Sequence, residues 1–332
     1  MAETFWKDRR VLVTGAGGFI ASHLTEALLD QGARVRALVR YNSRNSWGRL
    51  EELSAERRVR CEVILGDVSD PFTPRSWVEG CEYVFHLAAL IAVPYSYVSP
   101  ASYNEVNVRG TLNLLEAARA APIKRFVHTS TSEVYGTAVR VPIDETHPLQ
   151  SQSPYAASKI AADQFAESYY RSYNLPVTIA RPFNTYGPRQ SARAIIPTII
   201  TQALAGDSVG LGVQEPVRDF TYVGDTVRGL LALAECDATV GRVVNLGSGS
   251  GISVGDLARK IIALVGEPKE IRTDARRFRP RESEVMRLLC DASLARTLAG
   301  WQPQTSLDDG LRLTIEWIRR HLDEYRIGAY VL

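Results

Sequence analysis

Residues 11–21 read Val11-Leu12-Val13-Thr14-Gly15-Ala16-Gly17-Gly18-Phe19-Ile20-Ala21. A short, wholly apolar run ends in a glycine-rich turn, and the turn opens into an amphipathic stretch from Ile20 to Asp30. That order predicts a strand buried on both faces, a tight loop and a helix. Glycines permit the turn and let the backbone approach a pyrophosphate, whose charge is met by free N–H groups at the helix start. The spacing G-x-x-G-x-x-A differs from G-x-G-x-x-G, and glycines also serve ordinary strand-to-helix turns. The loop gains weight from its place between strand and helix.

Working outward, apolar runs recur at Val35 to Val39, Glu62 to Leu65, Tyr83 to Leu87, Phe126 to Thr129 and Val177 to Arg181. Amphipathic segments such as Asn104 to Ala120 and Pro154 to Tyr173 lie between them. Alternation of this kind predicts an α/β fold: a doubly wound parallel sheet, Rossmann-like, with right-handed crossovers. After Pro182 the rhythm loosens into a Gly/Pro-rich loop, a helical stretch Ile195 to Ala205, and a strand-helix-strand passage from Arg218 to Leu246. No linker separates the two parts. The expected division is a dinucleotide-binding domain of residues 1–181 and 218–247, with a smaller interleaved C-terminal substrate domain of residues 182–217 and 248–332.

Composition narrows the function classes. With 39 basic and 37 acidic residues the formal charge is +2, which gives no general reason to expect nucleic acid or an anionic membrane as partner. Any anion site must be local. Met1 to Arg10 is polar, without the apolar stretch of a secretory signal, and the apolar run Val84 to Val98 is broken by His86 and Pro94, so a cytoplasmic protein is expected. Cys61, Cys81, Cys236 and Cys290 lie far apart with no C-x-x-C pair, which argues against a bound metal or a disulfide framework.

The candidate cofactor residues follow from strand ends. Gly15, Gly17, Gly18, Phe19 and Ile20 form the phosphate loop and helix start; Asp67 and Val68 stand where an adenine would be held. The small residues of Leu87-Ala88-Ala89 would let a cofactor lie against the sheet, with Thr129 and Pro182 at the ends of the fifth and sixth strands. Asn107 is unfavourable inside a helix, and its side chain is expected to bridge backbone groups beside the site or to face solvent. At the end of the second strand, Leu38-Val39-Arg40-Tyr41-Asn42-Ser43-Arg44 contains no carboxylate to hold ribose hydroxyls. NADP is therefore favoured over NAD, with Arg40 near the 2′-phosphate.

The candidate chemistry lies in two further stretches. Tyr155-Ala156-Ala157-Ser158-Lys159 places Tyr155 and Lys159 one helical turn apart on one face. An adjacent ammonium favours phenolate, so the Tyr155 pKa is expected to fall and the phenol to act as a general base. Thr129-Ser130-Thr131-Ser132-Glu133-Val134-Tyr135-Gly136 follows the fifth strand, at the sheet edge where open α/β folds bind ligands. Thr131 can hydrogen-bond a substrate hydroxyl beside Tyr155, and Glu133 can serve as a second acid/base; the alternative is a capped turn with an exposed glutamate.

Taken together, the glycine loop, Thr131 and the Tyr155/Lys159 pair resemble the extended short-chain dehydrogenase/reductases, over nearly the whole chain. The resemblance implies an NAD(P)-dependent enzyme acting on a nucleotide-diphosphate sugar, with its cofactor tightly bound and recycled. It implies a homodimer through a four-helix bundle of the segments Asn104 to Ala120 and Pro154 to Tyr173. Arg181-Pro182-Phe183-Asn184-Thr185-Tyr186-Gly187-Pro188 looks like the crossing into the substrate lobe, where Asn184 meets the diphosphate, and Arg218-Asp219-Phe220 like the phosphate-binding arginine segment. Arg193 and Arg279 complete the implied substrate set, with Arg281 a further candidate among Arg272, Arg276, Arg277 and Arg287.

Within that family Thr131-Ser132-Glu133 is similar to the triplet of the GDP-mannose 4,6-dehydratases, and uronate decarboxylases share it. Tyr41-Asn42-Ser43, Ser46-Trp47, Pro94-Tyr95-Ser96-Tyr97 and Arg189-Gln190-Ser191-Ala192-Arg193 look closest to nucleotide-linked N-acetylglucosamine 4,6-dehydratases of legionaminate-type pathways. The implied reaction is a hydro-lyase cycle. Tyr155 and Thr131 assist oxidation at C4, Glu133 takes the C5 proton, water leaves from C6, and hydride returns to give a 4-keto-6-deoxy sugar. Ser132 stands where many dehydratases carry an acid-donating aspartate, so Glu133 or a relay through Ser132 must protonate the leaving group. The alternatives are a nucleotide-sugar 4-epimerase, a UDP-glucuronate decarboxylase, and, remotely, a non-catalytic dinucleotide-binding regulator.

Overall fold

The computed structural model describes residues 4–327. The six apolar runs form β1 (Arg10–Thr14), β2 (Arg34–Arg40), β3 (Cys61–Gly66), β4 (Tyr83–His86), β5 (Arg125–Thr129) and β6 (Val177–Pro182). Six further strands follow: β7 (Asn184–Tyr186), β8 (Ser208–Leu211), β9 (Val217–Tyr222), β10 (Val243–Leu246), β11 (Gly251–Ser253) and β12 (Glu270–Thr273). Seven of these build one parallel sheet in the order β10-β6-β5-β4-β1-β2-β3. The order reverses between β1 and β4, the switch point where an open α/β sheet leaves a crevice beyond its strand ends.

Both faces of the sheet are covered, as the unbroken apolar runs require. On one face the helices Phe19–Asp30 and Val223–Glu235 pack Leu24, Leu28, Leu230 and Leu233 against Val11, Val13 and Phe85. On the other, the helices Gly110–Arg119 and Pro154–Tyr173 pack Leu114, Leu115 and Ala166 against Leu12, Val84 and Phe126. The segment expected as one helix from Asn104 is a π-helix over Asn104–Arg109 and an α-helix thereafter. The wider turn carries Asn107 into the interior, where it is buried.

The C-terminal lobe has its own core of Ile196, Ile199, Leu257, Ile261, Leu311 and Ile315, contributed by the helices Ile195–Ala205, Val254–Val265 and Leu307–Arg320. β9 pairs with β11 and β7 in a three-stranded sheet, and the helix Val223–Glu235 after it returns to the large sheet. Of the interval 218–247 expected in the dinucleotide-binding part, residues 218–222 lie in the three-stranded sheet, and the helix Val223–Glu235 and β10 belong with the large sheet. Among the described residues no helix is long and apolar enough to cross a membrane.

Candidate active site

The strand ends nominated from the sequence converge on the crevice. Gly15 has φ of +69°, and a Cβ there would lie 2.9 Å from the Ala88 Cα, so the loop after β1 rests directly on the backbone after β4. At Gly17 a Cβ would lie 2.7 Å from the Trp47 carbonyl oxygen, and Arg49 N–H donates to the Gly17 carbonyl at 3.0 Å. The segment that follows β2 therefore closes against the glycine loop. Gly18 precedes the helix Phe19–Asp30 with no side-chain cap, which leaves first-turn N–H groups available to an anion. Arg40, exposed at the end of β2, pairs with Asp67 from the end of β3 at 3.6 Å.

The surface under the glycine loop is held by a hydrogen-bond chain that the sequence reading missed. Thr111 donates its one hydroxyl proton to the Asn107 carbonyl (2.6 Å), so it can only accept from His86 Nε2 (3.0 Å). His86 Nδ1 is then an acceptor, and Thr14 Oγ1 donates to it at 2.8 Å while accepting the Leu87 and Ala88 N–H groups, each at 3.1 Å. Burial of the imidazole lowers its pKa well below the usual histidine value, consistent with that neutral tautomer. Asn107 extends the same function: its amide donates to the Leu90 carbonyl and to Ser158 Oγ, both at 2.9 Å, and its carbonyl accepts the Leu90 N–H at 2.8 Å. Residues 87–90 are thereby fixed from β1 and from the π-helix Asn104–Arg109, which Ser158 ties to the helix Pro154–Tyr173. Gly15→Ala would force a disfavoured φ and a backbone clash together; a Tm lower by several degrees and at least about tenfold weaker dinucleotide binding by calorimetry are expected.

The helix Pro154–Tyr173 starts where its sequence says it should. Ser153 accepts the Ala156 N–H at 3.1 Å and Pro154 occupies the first turn. From this fixed start Tyr155 enters an apolar niche with Val93 and Tyr103, whose ring meets it edge-on at 6.2 Å between centroids. The Thr131 hydroxyl is near enough to the phenol to oppose its pKa rise. Lys159 Nζ donates to the Thr129 carbonyl at 2.8 Å. Thr131 also accepts the Glu133 N–H at 3.2 Å, starting the short turn Ser132–Tyr135 in which Ser132 is buried and Glu133 half-buried.

One expectation is reversed. The Tyr155 pKa is raised, not lowered: burial dominates, the Thr131 hydroxyl opposes it, and Glu133, Tyr103 and Asp163 add to the rise. The sequence places a lysine one turn away but does not reveal how completely the niche removes the phenolate from water. Burial also brings the Lys159 ammonium down to about 8, against the attraction of Asp163.

The substrate-lobe candidates divide. Arg218 is buried; its guanidinium pairs with Glu284 at 3.4 Å, and burial lowers its pKa against the attraction of Glu133 and Glu284. Glu133 therefore acts electrostatically on both Tyr155 and Arg218, residues of different lobes. Asn184 Oδ1, Arg279 Nη1 and Thr129 Oγ1 are buried polar atoms without a hydrogen-bond partner among the described residues, which is costly unless a ligand completes them. Arg193 is exposed yet close enough to Tyr103 for its charge to be felt. Arg272, Arg276 and Arg277 are engaged locally with Glu270 and Asp274. Arg189 turns away from the chemistry and joins the lobes, meeting Glu26 at 2.9 Å and Glu52 at 2.9 Å.

The glycine cradle and the unpartnered Thr129 hydroxyl fit a dinucleotide, and the unpartnered Asn184 and Arg279 atoms fit a polar, anionic second ligand. Comparison with known proteins gives the same picture. The family described as GDP-mannose 4,6 dehydratase matches residues 12–314. UDP-glucose 4-epimerase of Mycolicibacterium smegmatis is 37% identical over 317 residues, covering 93% of this chain and 98% of that protein. The dTDP-D-glucose 4,6-dehydratase of Mus musculus is 33% identical over 330 residues, covering 96% and 91% respectively. A double mutant of dTDP-glucose 4,6-dehydratase from Streptomyces venezuelae, solved with NAD bound, superposes with a TM-score of 0.86 at 30% identity over 95% of this chain and 98% of that one. Because these matches run through both lobes and include dehydratases and epimerases alike, the chain belongs to the nucleotide-sugar dehydratase/epimerase family of extended short-chain dehydrogenases/reductases.

Proposed function

We propose that the protein is a nucleotide-sugar 4,6-dehydratase acting on a nucleotide-linked N-acetylglucosamine or a related hexose. The observation that carries this reading is the position of Glu133, a second acid/base in the turn that Thr131 starts, whose charge acts on Tyr155. A 4-epimerase needs the Tyr155 step alone; elimination of water needs a further group to move a carbon-bound proton. The dinucleotide would be held by Gly15, Gly17, Gly18, Phe19, Ile20, Asp67, Val68, Leu87, Ala88, Ala89, Asn107, Thr129 and Pro182. When bound, an oxidised nicotinamide supplies a reversible hydride acceptor and a positive charge.

Tyr155 takes the proton of the sugar's 4-hydroxyl, and Thr131 holds the phenol and that hydroxyl in line. Lys159 supplies positive charge to the phenolate from one turn away. Once C4 is a ketone the C5 proton is acidified, and Glu133 removes it. Ser132 has no carboxyl to donate, so Glu133 passes the proton to the departing 6-hydroxyl. Asn184, Arg193, Arg218 and Arg279 meet the diphosphate and sugar.

NADP is the cofactor we favour, since the end of β2 offers Arg40 rather than a carboxylate; the Arg40–Asp67 pair would have to open for a 2′-phosphate to use it. Mass spectrometry decides both points. Denaturing the purified protein should release NADP, whereas release of NAD removes the preference. Incubation with UDP-N-acetylglucosamine, GDP-N-acetylglucosamine, GDP-mannose and UDP-glucuronate should then give a product lighter by one water from one of the first three. A new isomer of unchanged mass makes it an epimerase, loss of carbon dioxide a decarboxylase, and no reaction with any of them returns the non-catalytic reading.

A further inference from the structure

Asp163 continues the line of Tyr155 and Lys159 along one face of the helix Pro154–Tyr173, each residue four positions after the last. It is buried, and four hydrogen bonds converge on it. Ser130 Oγ donates to Oδ2 at 2.7 Å, and Arg181 donates to the same oxygen through Nε at 3.2 Å and Nη2 at 2.9 Å. His128 Nε2 lies 3.2 Å from Oδ1. A carboxylate only accepts, so that nitrogen carries the proton and His128 Nδ1 is bare; it is buried without a partner. Arg181 is further fixed by Tyr135, whose hydroxyl accepts from Nη1 at 3.0 Å and whose ring lies 5.0 Å beneath the guanidinium.

We propose that Asp163 is a positioning residue for the reaction, the buried counter-charge one helical turn beyond the Lys159 ammonium, which donates to the Thr129 carbonyl. An ammonium taken out of water without an opposing charge loses its proton instead. The groups facing Lys159 leave Asp163 that task. His86 on β4 and His128 on β5 are both held neutral by burial, Arg181 on β6 is a second cation, and Tyr155 on the same helix is a protonated phenol. Arg181, Ser130 and His128 keep the Asp163 carboxylate ionised in this dry surrounding: burial pushes its pKa up, and their hydrogen bonds and charges bring it below the usual value. The consequence for function rests on Tyr155 and Lys159 being the working pair, as above.

The test reads the lysine directly and needs no sugar. The chain has five lysines, Lys7, Lys124, Lys159, Lys260 and Lys269, so protein labelled with carbon-13 at the lysine ε-position gives a simple spectrum in which Lys159→Met assigns the signal. In the ligand-free protein Lys159 should titrate near 8. Asp163→Asn should lower that midpoint by about one pH unit or more, and Asp163→Glu should restore it. Asp163→Asn alone leaves Arg181 buried and unpaired, so the double variant Asp163→Asn/Arg181→Met is measured too, against Arg181→Met, which lacks the same cation; its midpoint should lie below that of Arg181→Met. A midpoint of folded Asp163→Asn equal to the parent's, or of the double variant equal to that of Arg181→Met, overturns the proposal. So does the unaltered protein by itself, if the Asp163 carboxyl carbon shows a protonated acid at neutral pH. A wrong sugar assignment would leave all of these titrations as they are.

Discussion

Tyr155→Phe should lower kcat by about 10²–10⁴-fold, the usual worth of a positioned proton-transfer group, or roughly 3–5 kcal/mol of barrier. The substitution removes one oxygen and keeps the ring, so the edge-on contact with Tyr103 and the packing against Val93 survive. Thermal stability and dinucleotide affinity should stay close to those of the parent, and they are the controls. The pH dependence has a defined sign. In the ligand-free protein burial holds the phenol protonated, so base catalysis increases as pH rises. It is opposed as Lys159, whose pKa burial brings to about 8, gives up the positive charge that favours phenolate. A rate profile with an alkaline fall near that value is expected for the parent enzyme. A Tyr155→Phe protein that keeps more than about a tenth of the parent kcat would take proton transfer away from this residue.

Glu133→Gln should separate the two reaction types that share the first step. In a dehydratase it blocks removal of the C5 proton, so formation of the dehydrated product should drop by at least about 10²-fold while C4 oxidation continues. The near-ultraviolet absorbance of reduced nicotinamide should then rise on mixing with substrate and persist. Glu133 adds to the rise in the Tyr155 pKa, so its neutralisation should also ease phenolate formation, and the oxidation step should not slow. Arg218 loses the attraction of Glu133 and keeps its pair with Glu284 at 3.4 Å, which should hold the fold. If dehydration proceeds at the parent rate, the role given to Glu133 fails; if the parent itself interconverts C4 epimers and the variant does so equally well, the enzyme is an epimerase.

The sheet and the glycine cradle were legible in the order of residues along the chain. Val11–Thr14 followed by Gly15-Ala16-Gly17-Gly18, and the repeating apolar runs after it, depend on local periodicity and on backbone conformations few residues adopt. Both are properties of neighbouring residues, and so is the one-turn spacing of Tyr155 and Lys159. Asp163 carried a readable signal as well, an acidic residue two turns beyond Tyr155 on the face that holds Tyr155 and Lys159. Only the tertiary structure decided the electrostatics. The direction of the Tyr155 shift was inverted because Val93, Tyr103 and Glu133, from three separate segments, set the phenol's surroundings. Glu133 meets Arg218 across the two lobes, and Thr14, His86 and Thr111 form one hydrogen-bond chain only when β1, β4 and a helix are assembled. Desolvation and charge pairing depend on which distant segments exclude water from a given atom, and no spacing along the chain encodes that.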